Sequence, residues 1–166
     1  LPRLITPGAI RGCFHVHSYY SDGVNSLEEL IIAAKQRDWS YLGLSDHSQS
    51  AYYAGGLKVP DLTRQQEEVE ARRRQHPDFT LFWGVESDIL GDGSLDYPDD
   101  ILEGFDFVIA SIHSQFSLKG EAMTRRILTA LAGTPVLAAI TIFTFMGNYG
   151  SFFRPLAKPA GGIMLH

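Results

Sequence analysis

The sequence predicts an α/β fold in which right-handed β-α-β units build a parallel sheet or barrel. Three observations predict it. Short apolar runs alternate with helical stretches from Phe14 to about Gly133, and one of the helices carries a capping signal. Each of four apolar runs also ends in a histidine or a carboxylate. In this architecture active sites gather at the C-terminal ends of strands.

The first strand is FHVH, followed by SYYSDG. Strand alternation sends residues two apart to one face, so His15 and His17 are expected to point the same way, close to Asp22. NSLEELIIAAKQRDW reads as a helix: Ser26 and Glu29 form a capping box, and Leu27, Leu30, Ile31 and Ala34 recur at helical spacing. SYLGLSDH is a second strand, ending at Asp46 and His47. DLTRQQEEVEARRRQ is a second helix, with Glu68–Arg72 and Glu70–Arg74 at supportive spacing and its charge run expected on a solvated outer face. TLFWGVES gives a third strand ending at Glu86, and LEGFDFVIASIHS a fourth ending at His113. EAMTRRILTALAG is a helix closed by Gly133, a residue suited to the left-handed position after a helix. Strands are thus expected near residues 13–17, 40–46, 79–86 and 106–112.

Of six histidines, only His76 and His166 lie outside these strand ends. Nitrogen and oxygen ligands without thiolate suit zinc, manganese or iron(II). Several such ions close together can clamp a phosphate and acidify a bound water, so phosphoester hydrolysis best uses the set. The remaining composition narrows the setting. A net charge of −5 argues against a generic nucleic-acid-coating surface. The single cysteine, Cys13, allows no internal disulfide or cysteine-rich zinc site and reads as a buried small thiol. The opening LPRLITPGAIRG lacks the apolar core of a secretory signal, and Val136 to Met146 is about half the ~20 residues of a membrane span. A cytoplasmic protein is expected.

The motifs HVHSYYSDG, LSDHS, GVES and SIHS, in that order, resemble the PHP (polymerase and histidinol phosphatase) family. The resemblance implies a distorted (βα)7 TIM-like barrel with up to three divalent metal ions, Zn2+, Mn2+ or Fe2+. It implies that His15, His17 and Glu86 hold one ion, Glu86 and His113 a second, and Asp22 and His47 a third. Glu86, His15 and Asp22 are then the expected catalytic residues, and Asp46 is expected to support a ligand. LPRLIT, AGGL, DGSLDYPDDIL and EAMTRRIL are similar to the C-terminal PHP domain of bacterial family X DNA polymerases, which implies 3′-5′ exonuclease or related phosphoesterase activity, with a DNA 3′ end as a partner. Two other readings stay open. One is a stand-alone small-molecule phosphatase of the histidinol-phosphate type; the other is a catalytically inactive PHP fragment. An amidohydrolase-like enzyme would lack the S-D-G and S-x-H-S companions.

The chain departs from the family pattern in two places. Cys13 stands where an aspartate is usual, and the family's later Gly-His and Asp-x-His motifs do not occur. All 19 acidic residues lie at or before Glu121, and residues 122–166 carry only the charges of Arg125, Arg126, Arg154 and Lys158. Residues 1–133 are therefore expected to form the N-terminal two-thirds of a PHP domain, and 134–166 an atypical tail that replaces the final strands. A barrel incomplete at its C-terminus implies an open apolar flank, prone to self-association.

Overall fold

The computed structural model describes residues 4–133 and 138–141. Five parallel strands form one sheet in chain order: β1 (Gly12–Val16), β2 (Tyr41–His47), β3 (Thr80–Asp88), β4 (Phe107–Ser111) and β5 (Ala138–Thr141). Helices α1 (Leu27–Lys35), α2 (Val59–Gln75), α3 (Asp99–Leu102) and α4 (Glu121–Gly133) fall between them. Consecutive parallel neighbours curl the sheet into half of a barrel. No described helix is long and apolar enough to cross a membrane.

Alternation decides which residues meet the helices. Leu42 and Leu44 of β2 and Leu81, Trp83 and Val85 of β3 pack with Leu27, Leu30, Ile31 and Ala34 of α1 and Leu62 and Val69 of α2. Leu44, Ile31 and Val69 are wholly buried, each contributing roughly 1.5–3 kcal/mol of transfer free energy. On the opposite face Phe14 packs its ring against Tyr41, Phe82 and Phe107 at 5.6, 5.4 and 4.9 Å. Gly43 leaves room for it, since a Cβ there would lie 2.3 Å from the Phe14 ring.

The four expected strands all occur, within two residues at each end. The capping box of α1 is complete: Ser26 Oγ accepts from the Glu29 amide, and Glu29 Oε2 accepts from the Ser26 amide at 2.8 Å. α2 begins two residues earlier than its charge pattern suggests, because Pro60 suits a first turn that needs no amide. Its charged face is also less solvated than expected. Gln65 is buried, Glu68 accepts the hydroxyls of Tyr19 and Tyr20, and Glu70 pairs with Arg73 rather than Arg74. The Glu68–Arg72 pair forms at 3.3 Å. Cys13 is half-buried against the core, and burial pushes its thiol up to about 11, which leaves it protonated at neutral pH. Of the expected 134–166 tail only β5 is described, pairing in parallel with β4; the rest of the tail and the open flank lie outside the described residues.

Candidate metal centre

β1 does not reach its site by plain alternation. His15 has a left-handed backbone (φ 68°), and the β1–β2 register slips between Cys13 and Val16. This bulge turns the chain so that the His15 and His17 rings face one another at 5.2 Å, with His17 just past the strand. Bulges and left-handed non-glycine residues concentrate at functional sites because they re-aim side chains at a cost in strain. The following loop is tied down by Asp46, which accepts from the Ser18 amide and hydroxyl at 2.7 Å each and from the Ser21 hydroxyl. Gln65 donates to the same carboxylate, and Trp83 Nε1 donates to Gln65. Burial pushes the Asp46 carboxyl up. Gly23 closes the loop where a Cβ would sit 2.4 Å from the His17 carbonyl oxygen. Asp22 is thereby brought to 2.7 Å from His17 Nδ1.

The parallel register sets His47 of β2 beside Glu86 of β3, and Asp88 beside Ser111 of β4. Glu86, 1% exposed, is the hub. Its Oε1 lies 3.2 Å from His15 Nε2 and 3.3 Å from His113 Nε2; its Oε2 lies 3.2 Å from His17 Nε2 and 3.0 Å from His47 Nδ1. Asp22 Oδ2 approaches His47 Nε2 at 3.5 Å. The six residues form three overlapping groups: His15–His17–Glu86, His17–Asp22–His47 and His47–Glu86–His113, with the ligand-type atoms of each within 4.8 Å of one another.

Charge follows from this geometry. Burial pushes Glu86 up, but the His113, His15 and His17 rings close against its oxygens outweigh it and hold the carboxyl far below the usual range. Burial pulls His113 down, yet Asp88 and Glu86 raise it to about 9. His17 is likewise raised by Glu86 and Asp22 against its burial, whereas His47, dominated by burial, is lowered. Burial raises Asp22, and His17 more than offsets that. The donor set fits a divalent cation. His47 Nδ1 and Glu86 Oε2 are buried, face each other at 3.0 Å and make no hydrogen bond among the described residues, as lone pairs aimed at one ion would.

Residues 14–158 match the PHP domain. The chain belongs to the PHP domain family. Over 133 residues it is 41% identical to the DNA polymerase/3'-5' exonuclease PolX of Bacillus subtilis (strain 168), a stretch covering 80% of this chain and 23% of that protein. Two proteins named "Probable phosphatase" are also similar. That of Caldicellulosiruptor saccharolyticus is 28% identical over 74% of this chain and 51% of its own length. That of Caldicellulosiruptor bescii is 29% identical over 60% and 40%. The chain thus spans about a quarter to a half of the length of the curated relatives it matches.

Within this PHP domain all six expected ligands converge. Asp46, next to His47 in β2, places its hydrogen bonds on Gln65 and on the loop that carries Asp22. Two participants were missed. Asp88 pairs with His113 Nδ1 at 2.6 Å, fixing the ring with Nε2 toward the cluster, and Ser111 Oγ donates to Glu86 Oε1 at 2.7 Å. Both had a signal. Asp88 is two residues after Glu86 and Ser111 two before His113, hence each on the same face as the expected ligand of its own strand and able to reach the ligand of the neighbouring one. His76 lies apart, paired with Glu28 at 3.0 Å.

Proposed function

We propose that the chain is a metal-dependent phosphoesterase domain that acts on nucleic-acid 3′ ends. The observation that carries this is a buried carboxylate, Glu86, facing four imidazoles at the C-terminal edge of a parallel sheet. The similarity to PolX is closer than that to the two phosphatases, which favours a nucleic-acid end over a small phosphomonoester.

Six side chains supply the ligand positions, and Glu86, with two carboxylate oxygens facing four imidazoles, is placed to serve two ions. A neutral imidazole offers one lone pair, so His17 and His47 each serve a single ion. Of the three overlapping groups we assign His17 to His15 and Glu86, and His47 to Asp22, which leaves His15–His17–Glu86 as a three-residue set and Glu86–His113 and Asp22–His47 as two-residue sets; His47 also stands within reach of Glu86 and His113. Three protein ligands are the usual complement of an open catalytic site. Bound ions would polarise the phosphoryl oxygens and lower the pKa of water. The chain's own groups prepare that position. Ser111 orients the Glu86 carboxylate, Asp88 fixes the His113 tautomer, and Asp46 holds the loop that presents Asp22. Asp22, with its side chain one-third exposed, lies toward solvent, where a phosphoester can enter.

The test is cleavage of a single-stranded oligonucleotide labelled at its 5′ end, with manganese, by the chain and by Glu86→Ala. Stepwise loss of 3′ nucleotides that vanishes in the variant supports the proposal. Hydrolysis of histidinol phosphate with the oligonucleotide untouched would assign it to the small-molecule phosphatases instead. Metal uptake without either activity would identify an inactive fragment.

A further inference from the structure

Two exposed tyrosines stand beside the metal-type cluster, and no step above uses them. Tyr52 is 87% exposed and Tyr53 63% exposed. They occupy a short 3-10 turn (Tyr52–Ala54) that begins only five residues after His47. The turn is built rigidly. The amide of Ala51 donates to Ser48, those of Ala54 and Gly56 to Ala51, that of Gly55 to Tyr52, and that of Leu57 returns to His47 at 2.9 Å. Ala51 is wholly buried and Ala54 nearly so, which anchors the turn on both sides of the tyrosine pair. The rings therefore project from a fixed base. Tyr53 sits 6.2 Å from the His47 ring and 6.3 Å from the His113 ring, centre to centre. Tyr52 stands 6.2 Å beyond it at 78°.

We propose that Tyr53, backed by Tyr52, is the seat of the nucleobase adjoining the scissile phosphate. The inference rests on the phosphoesterase proposal and names the group its substrate carries. A phosphate held at the cluster has its ester substituent at the rim, and on this side the rim carries the Tyr53 and Tyr52 rings. A sugar would be met there by the two phenol hydroxyls, a contact that Tyr53→Phe removes. A nucleobase, one pentose away from its phosphate, is met by a ring on which it stacks. Stacking on an aromatic side chain contributes about 1–3 kcal/mol per base and tolerates any base, because every base has a π-face. The ring, not the hydroxyl, does this, so Tyr53→Phe retains the function and Tyr53→Ala loses it. The exposed position makes both variants compatible with folding.

The experiment compares two fluorescent oligothymidylates with the manganese-loaded full chain, one ending in a 3′ thymidine and one in a 3′ abasic tetrahydrofuran residue. Binding is read by anisotropy and cleavage by gel. The expected result is a preference for the thymidine end that falls about tenfold in Tyr53→Ala, the lower part of the stacking range, and stays within about twofold in Tyr53→Phe. Equal loss on both oligonucleotides in Tyr53→Ala would overturn the inference, as would a Phe variant as poor as the Ala variant. Cleavage and binding separate the two proposals. Absence of cleavage with the base preference intact removes the phosphoesterase reading alone, whereas cleavage without base preference removes only the stacking seat.

Discussion

His15 carries the least comfortable backbone in the centre, with φ at 68° in a β-strand. A left-handed non-glycine residue costs roughly 1–2 kcal/mol. The strain is specific to having a Cβ, so His15→Gly is expected to be more stable than His15→Ala by about 1 kcal/mol, the reverse of the usual order. Thermal melts of the two metal-free variants check this, both having lost the imidazole. Glu86→Ala and His15→Ala are expected to lose metal uptake and hydrolysis, whereas His76→Ala, in its Glu28 pair, keeps both. Equal losses in all three would mean that stability was being measured. His113 supplies the pH dependence. Its folded pKa, raised from 6.5 to about 9, stabilises the metal-free fold below pH 6.5, and that contribution is lost as pH rises through about 9. A metal ion competes with the same proton. Its affinity is therefore expected to rise across this interval while metal-free stability falls. Titrations and melts at pH 6.5, 7.5 and 9 read both trends, and flat profiles would contradict them. Five of the six candidate ligand positions were legible because each lies at the end of an apolar run, and Asp22 was legible from the S-D-G that follows the first. The bulge at His15 was not, since a register slip leaves no mark on an H-x-H pattern.

At the level of elements, the loop after β1 and helix α2 work together through Asp46 and Gln65. Asp46→Ala would leave the Ser18 amide and the Gln65 side chain without their buried acceptor, at about 1–3 kcal/mol per group. It is also expected to weaken metal binding, because Asp22 loses its anchored loop. Ser26→Ala provides the contrast. Removing the α1 cap costs about 1 kcal/mol and leaves metal binding unchanged. Denaturant melts with parallel metal titrations distinguish the two. The strands and α1 were readable from periodicity, whereas α3 and the 3-10 turns are too short to show a period. The charge pattern of α2 misled, because long polar side chains such as Gln65 satisfy buried partners from a helix that looks solvated.

The whole molecule is a curled parallel sheet whose C-terminal edge gathers all six metal-type ligands among the described residues. Chain order made that gathering legible, because parallel β-α-β units return every strand end to one edge. Which ligands share an ion was not legible, since His17, His47 and Glu86 each belong to two groups in space. Residues 134–166 contain no Asp or Glu and a single histidine, His166, so they add no carboxylate to the two-residue sets. The central claim is the assignment of His47 to Asp22, which leaves His15, His17 and Glu86 as the one three-residue set. Metal analysis of the 166-residue chain after exhaustive dialysis tests it most directly. The expected result is about one divalent ion retained per chain, lost in Glu86→Ala, the count following from the three-ligand rule for an open site. A chain that retains no ion, or close to three with brisk turnover of a generic phosphodiester, would contradict it.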